Sequence, residues 1–293
     1  MHKSAFINII GLPNVGKSTL LNEIIGEKIS IVTHKAQTTR HNILGILNGD
    51  DYQLIFCDTP GIIDPKYALQ GAMMKAVKQS MEAADIVLAI ASLDPKEYKK
   101  STNFILEYCK NISQPLAIVF NKVDTSTEDI VQESTQLISS NINYQRLFVI
   151  SALHKYNINC LIEFALENSP SHPPYYEKDM YTDKDLRFIA AEKIREQILL
   201  HFKQEIPYSV EVIIDEYKEK EDIDHISAKI IVERESQRAI IIGKGGNVLK
   251  KIGTNARKNI QNFSKKKVFL EIFVKVMPNW RNNKNFIHSR NYE

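Results

Sequence analysis

One octapeptide, Gly11-Leu-Pro-Asn-Val-Gly-Lys-Ser18, limits what this 293-residue chain can fold into more than any other feature. Its spacing is G-x-x-x-x-G-K-S; it follows the apolar run 5–11 and opens a helical stretch over 18–26. Glycines let the chain curl until successive N–H groups face inward on a phosphate chain, and the helix N-terminus adds partial positive charge. Lys17 is expected to reach the β- and γ-phosphates of a nucleoside triphosphate, and the Ser18 hydroxyl to hold Mg²⁺. The nucleotide contacts expected from this loop run through Gly11, Pro13, Asn14, Val15, Gly16, Lys17, Ser18 and Thr19. Nothing in the loop separates ATP from GTP.

The surrounding pattern supplies the scaffold such a loop needs. Short apolar runs at 5–11, 52–58, 85–92, 115–121 and 146–151 alternate with helical spacing over 18–26, 68–83, 96–110, 128–140 and 157–168. Near-continuous β-branched runs alternating with helices imply an α/β domain with a mostly parallel sheet covered on both faces. The strand 43–47, joined to the next by Asn48-Gly-Asp-Asp51, predicts one antiparallel edge. Three prolines within Ser169-Pro-Ser-His-Pro-Pro-Tyr-Tyr176 break the pattern, which sets domains at 3–170 and 183–293 around a stiff linker over 171–182. Beyond the linker the order helix–strand–strand–helix–helix–strand describes a small α+β unit with its core at about 201–279.

Strand ends carry the remaining chemistry of the first domain. Asp58-Thr-Pro-Gly61 ends a strand where a metal-holding acid is expected: Asp58 in the outer shell of Mg²⁺, with Thr59 and Pro60 lining the site. The Gly61 N–H can bond a γ-phosphate oxygen and lose it on hydrolysis. Asn121-Lys122-Val-Asp124 ends a later strand, where open parallel sheets bind ligands. A carboxylate at Asp124 accepts from the N1–H and N2–H₂ edge of guanine, whereas adenine would leave it unpaired. Ser151-Ala152-Leu153 ends the next strand and can buttress the base through backbone N–H groups. Phosphate loop, acid, base reader and buttress thus fall in order, and the nucleotide is GTP or GDP.

Charge is unevenly spread. The chain carries a net +3, but residues 238–293 hold 13 basic and 2 acidic side chains, which favours a polyanionic partner for that end. There Ile242-Gly243-Lys244-Gly245-Gly246 places a G-x-x-G loop between two helical segments. It resembles the nucleic-acid clamp of a type II KH domain, in which a single strand approaches glycine backbone closely. Arg238, Lys244, Lys250, Lys251 and Arg257 are the expected phosphate contacts, and Ile240, Ile241 and Ile242 share core and groove roles between them.

With these residues in hand, the chain resembles the Era family of translation-factor-class GTPases, whose first switch is matched by Gln37-Thr-Thr-Arg-His41. The resemblance implies that Thr39 binds Mg²⁺ in the triphosphate state, with Thr38 the alternative, and that segments 33–41 and 58–67 order with the γ-phosphate. Lys17, Thr39, Gly61 and Asn14 are then the catalytic set. Related GTPases use the Asn of a Gly-x-Pro-Asn loop to hold K⁺, so K⁺ stimulation through Asn14 is expected. Ile62 stands where signalling GTPases carry a water-orienting glutamine, which implies slow intrinsic hydrolysis. The resemblance further implies binding of the 3′ end of 16S rRNA, a role in assembly of the small ribosomal subunit, peripheral contact of a cytoplasmic monomer with the inner membrane, and an atypical tail over 280–293. No apolar run approaches the ~20 residues that span a bilayer, no secretory leader is legible at 1–10, and three unpaired-looking cysteines argue against a disulfide framework.

Overall fold

The apolar run before the octapeptide forms β1 (Lys3–Gly11), and the octapeptide itself turns into α1 (Lys17–Ile25). The computed structural model describes residues 1–35, 37–290 and 292, which divide into two compact units. The first unit comprises Met1–Ser30, Thr39–Pro65 and Met73–Asp183. It continues through β2 (Ile43–Asn48), β3 (Tyr52–Asp58), α2 (Ala68–Glu82) from Met73 onward, β4 (Ile86–Ser92), α3 (Tyr98–Tyr108), β5 (Leu116–Asn121), α4 (Glu128–Ser139), β6 (Arg146–Val149) and α5 (Asn159–Asn168). Strand order is β2-β3-β1-β4-β5-β6; every pairing is parallel except that of β2 with β3. β4 and β5 are buried along their whole length, which is why they read as unbroken apolar runs rather than alternating ones. Val77, Phe104, Ile105 and Ile138, from α2, α3 and α4, pack on one face of the sheet.

The proline-rich stretch does not stand off as a free linker. Ser171 bridges Lys3, Thr182 bridges Gly45, and the backbone N–H groups of Tyr175 and Tyr176 both donate to Gln53 Oε1 at 2.8 and 2.9 Å. Proline stiffness holds the segment extended, and buried Gln53 supplies the acceptor that fixes it to the first unit.

The second unit comprises Ile31–Thr38, Lys66–Ala72 and the chain from Lys184 onward. It holds α6 (Leu186–His201), β7 (Glu211–Lys218), β8 (Ile223–Val232), α7 (Glu235–Ile242), α8 (Asn247–Ser264), β9 (Lys267–Val276) and α9 (Lys284–Ser289). β7 pairs antiparallel and β9 parallel with the central β8. Ile252, Ala256 and Ile260, spaced four apart on α8, meet Ile194, Ile198, Ala228, Ile230 and Val268 in one core. The short segments join this unit by specific bonds: buried Arg195, paired with Glu192 at 2.6 Å, donates to the Thr38 carbonyl, Lys35 Nζ donates to the carbonyls of Leu199 and Phe202, and the Ala68 N–H donates to Asn282 Oδ1 at 3.2 Å. The tail, expected to be atypical, is part of the fold. Trp280 is fully buried and donates from Nε1 to the Ser209 carbonyl at 3.0 Å, while the Tyr292 hydroxyl donates to Glu211 Oε2 at 2.8 Å.

Candidate nucleotide site and nucleic-acid interface

The phosphate loop lies at the C-terminal end of β1, the position at which a parallel sheet leaves a crevice. Gly16 takes φ +103°, and a Cβ there would sit 2.2 Å from Asn121 Nδ2; glycine is required on both counts. A Cβ on Gly61 would fall 2.6 Å from the Pro13 nitrogen and 2.7 Å from its ring Cγ, so the two loops can pack this closely only with glycine at 61. Lys17 Nζ is buried and donates to the carbonyls of Gly11 and Leu12 at 3.1 and 2.9 Å. Burial lowers its pKa to about 8 despite the nearby Asp58 carboxylate.

Asp58 is the centre of a hydroxyl cluster. Its Oδ2 accepts from Ser18 Oγ at 2.6 Å, Ser30 Oγ at 2.7 Å and Thr39 Oγ1 at 3.3 Å, and the Ser18 and Thr39 hydroxyls share a bond of 2.8 Å. Burial pushes the Asp58 carboxyl above the usual carboxylate range, opposed by Lys17 and by the three hydroxyls. Asp58 Oδ1 is buried with no hydrogen-bond partner. An orphaned carboxylate oxygen beside hydroxyl oxygens is a hard-donor set, and it fits Mg²⁺. Thr39 lies in this cluster, whereas the Thr38 hydroxyl bonds Thr33 and the Lys35 carbonyl, both at 2.6 Å. Ser30 was not foreseen. Fully buried, it is held by Asn22, whose carboxamide bonds both the Ser30 N–H and its carbonyl, at 2.9 and 2.7 Å; nothing in the sequence marks that pair.

Asn121 joins three of the expected motifs. Its Nδ2 donates to the Val15 carbonyl at 2.8 Å, and its Oδ1 accepts from the Ala152 N–H at 2.9 Å. Asp124 Oδ1 accepts from the Ser151 hydroxyl at 2.5 Å, and His154 Nε2 lies 3.7 Å from Asp124 Oδ2. Lys122, at φ +65°, ion-pairs with Glu97 at 3.0 Å. The Thr59 hydroxyl bonds the Ile9 carbonyl at 2.9 Å, which anchors the turn after β3. Leu153 is 70% exposed, so that position adds backbone only. Ile62 is buried in the core, its N–H donating to the Gly11 carbonyl at 3.3 Å, and offers no group to orient water.

In the second unit Gly243, Gly245 and Gly246 all take positive φ. A Cβ on Gly243 would meet Val248 Cγ2 at 2.4 Å, whereas Gly245 and Gly246 face open space; the loop therefore needs the first glycine for its own packing and leaves the other two bare for a ligand. Beside it lies a cleft of about 480 Å³ lined by Gly246, Lys250 and Arg257, with Leu249, Gly253, Thr254, Leu270 and Ile272. Of the expected contacts, Arg238, Ile242, Gly243, Lys244, Gly245 and Lys251 lie outside its lining. Arg238 instead meets Glu235 at 3.3 Å. The three isoleucines separate: Ile241 is core, Ile240 is 47% exposed, and Ile242 is half-buried. The apolar wall from Leu249, Leu270 and Ile272 was legible only as amphipathic spacing.

Known proteins share this arrangement. Residues 6–122 match the family of 50S ribosome-binding GTPases, and residues 205–281 match the KH domain family. GTPase Era of Clostridium botulinum (strain Alaska E43 / Type E3) is 42% identical over 294 residues, covering 100% of this chain and 99% of its own. That of Clostridium acetobutylicum is 44% identical over 283 residues, covering 97% and 95%. A crystal structure of Era in complex with MgGDPNP and nucleotides 1506–1542 of 16S ribosomal RNA superposes with a TM-score of 0.92 at 35% identity, covering 100% of this chain and 99% of that one. An Era variant of Aquifex aeolicus bound to GDP.AlF4⁻ gives 0.91 at 35% identity, with 99% of each chain covered. Both domain matches, in this order and at this identity along the whole length, mean that the chain belongs to the Era family of GTPases.

Proposed function

We propose that this GTPase is a hydrolysis-timed RNA clamp, gripping the single-stranded 3′ end of 16S rRNA with its KH unit during assembly of the small ribosomal subunit. The observation that carries the reading is the Asn121 carboxamide, which ties the phosphate loop to the base buttress in one site. In that site Asp124 reads the guanine edge, Ala152 meets the base through backbone, and Lys17 leaves its loop carbonyls for the phosphates. Ser18 and Thr39 hold Mg²⁺ directly and Asp58 through its outer shell. Mg²⁺ held by these residues would supply positive charge that offsets that of the β- and γ-phosphates. Thr39 and the Gly61 N–H engage only while a γ-phosphate is present, so the loops that carry them order and release with nucleotide state.

The segment immediately before Thr39 belongs to the unit that contains the KH fold, and chain continuity from Thr39 to Thr38 is the proposed route from nucleotide to RNA. With Ile62 unable to orient water, hydrolysis is slow and K⁺ held by Asn14 accelerates it; equal rates in K⁺ and Na⁺ buffers remove that part. The reading extends to a monomer with peripheral contact to an anionic inner membrane, for which the basic C-terminal segment is suited. No described helix is long and apolar enough to cross a membrane.

Crosslinking in cells, with the GTP-locked and GDP-bound forms compared, tests the RNA assignment. Small-subunit rRNA fragments from the 3′ end, enriched in the GTP-locked form, are expected. Recovery of tRNA or mRNA instead overturns the target.

A further inference from the structure

β9 is an edge strand of the KH sheet, and its two faces are differently made. Inward, Val268, Leu270, Ile272 and Val274 pack on the core. Outward, Phe269 and Phe273 are 45% and 54% exposed, interleaved with Lys267, Glu271 and Lys275. Edge strands are ordinarily guarded by charge, so exposed rings at two outward positions ask for an occupant. Among the described residues, the tail meets the far end of this face, where the Tyr292 hydroxyl bonds buried Glu211.

We infer that Phe269 and Phe273 form a second RNA subsite, stacking unpaired bases of the same strand that lies in the glycine-loop cleft. The inference rests on the RNA-binding reading above. Continuity comes from β9 itself: Leu270 and Ile272 wall the cleft, and Phe269 and Phe273 alternate with them on the opposite face. The exposed run Lys265-Lys266-Lys267 leads from the end of α8 to Phe269, a basic track between the two faces. Cross-strand neighbours suit a base as well. His225 lies opposite Phe269 with ring centroids 5.3 Å apart, and Lys229, paired with Asp215 at 2.8 Å, lies opposite Phe273.

The spacing excludes a plain apolar dock. Four residues apart on a strand, the rings stand about 13 Å from each other, with a carboxylate between them. A protein interface needs a contiguous desolvated centre, whereas bases stack on isolated rings in basic surroundings.

The test uses the full chain and two fluorescent RNAs from the 3′ end of 16S rRNA. One fills the cleft alone, about four nucleotides, and the other is about twice as long. The native protein is expected to bind the longer RNA on the order of tenfold or more tighter than the shorter, given what one stacked base contributes. Phe269→Ala with Phe273→Ala abolishes that gain and leaves the short RNA unaffected; Phe→Trp at both positions keeps it. A 2-aminopurine in the extension is quenched by the native protein and by the Trp variant, and not by the Ala variant. Thermal melting of each variant controls for folding. Gly246→Asp, which puts a carboxylate at the cleft lining, weakens both RNAs. A length gain that survives the double Ala substitution overturns the subsite and leaves the RNA reading standing; failure of the native protein to bind either RNA overturns the RNA reading itself. A ring-dependent monomer–dimer shift with RNA binding unchanged, or equal ring-dependent binding of duplex RNA, also overturns the subsite.

Discussion

Asn121→Ala removes one buried carboxamide that serves two backbone groups 31 and 106 residues away. Asn121 is 2% exposed, so water does not replace either bond. Leaving the Val15 carbonyl and the Ala152 N–H unpaired costs about 1–3 kcal/mol each, roughly 2–6 kcal/mol together. A domain of ordinary stability, about 5–15 kcal/mol, survives that loss when purified with nucleotide. The part of the cost that falls on the phosphate loop is read as nucleotide affinity: a loss of about 10–100-fold for GDP, equivalent to about 1.4–2.8 kcal/mol. Asn121→Asp separates the halves, since its carboxylate still accepts from Ala152 but repels the Val15 carbonyl. Titration calorimetry with GDP, beside urea unfolding of the nucleotide-free protein, measures both consequences. The Asp variant is expected to lose nucleotide affinity while keeping preference for guanine over adenine nucleotides. Affinity within about twofold of the parent in both variants, with only the unfolding midpoint lowered, would refute the claim that this side chain links loop to base reader.

Two further outcomes follow from the same cluster. Lys17 has its pKa lowered to about 8 by burial, and only the charged form serves the phosphates, so nucleotide affinity is expected to fall as pH rises through 8, with proton uptake on binding above it. Stability of the nucleotide-free protein moves oppositely: between pH 8 and the unfolded value the unfolded chain binds the extra proton, so this group's contribution rises with pH. Calorimetry in buffers of different ionisation enthalpy counts the proton, and Lys17→Met should abolish it. Ser30→Ala deletes one of three hydroxyl bonds to Asp58 and should raise the Mg²⁺ concentration needed for half-maximal GTP binding about tenfold, by the roughly 1.5 kcal/mol that a hydrogen bond to a charged group contributes. Ser30→Thr should restore it, and an unchanged Mg²⁺ requirement in the Ala variant removes Ser30 from that role.

Much of this was legible in the chain because its signals are periodic or backbone-determined. Apolar runs of six to nine residues became parallel strands, as for Ile86–Ser92 and Leu116–Asn121, since a strand buried on both faces has no polar positions to alternate. Gly16 and Gly243 sit where a Cβ clashes, so their spacing recorded a geometric demand. Ser30 and Asn22 left no trace: a single polar residue 28 positions from Asp58 carries no period, and its partner is set by folding. The segment 31–38 likewise groups with the KH-containing unit through individual bonds of Arg195 and Lys35, and 66–72 through Asn282 and Arg281, rather than through any pattern. The packing of the tail had no sequence signal because its anchors, Trp280 and Tyr292, are lone aromatics in a polar stretch. Prolines at 170, 173 and 174 signalled the end of periodic structure correctly, yet the fixation of that stretch depends on Gln53, far away in sequence.

Selectivity for the guanine edge through Asp124 is the claim on which the rest depends. Exchange of that carboxylate for a carboxamide replaces two accepted hydrogen bonds with a donor–acceptor pair, the pattern that xanthine satisfies. Calorimetry of Asp124→Asn against GDP and XDP should show GDP affinity down by at least about 100-fold and XDP bound in its place. Retention of GDP binding by that variant, with no gain for XDP, would contradict the account.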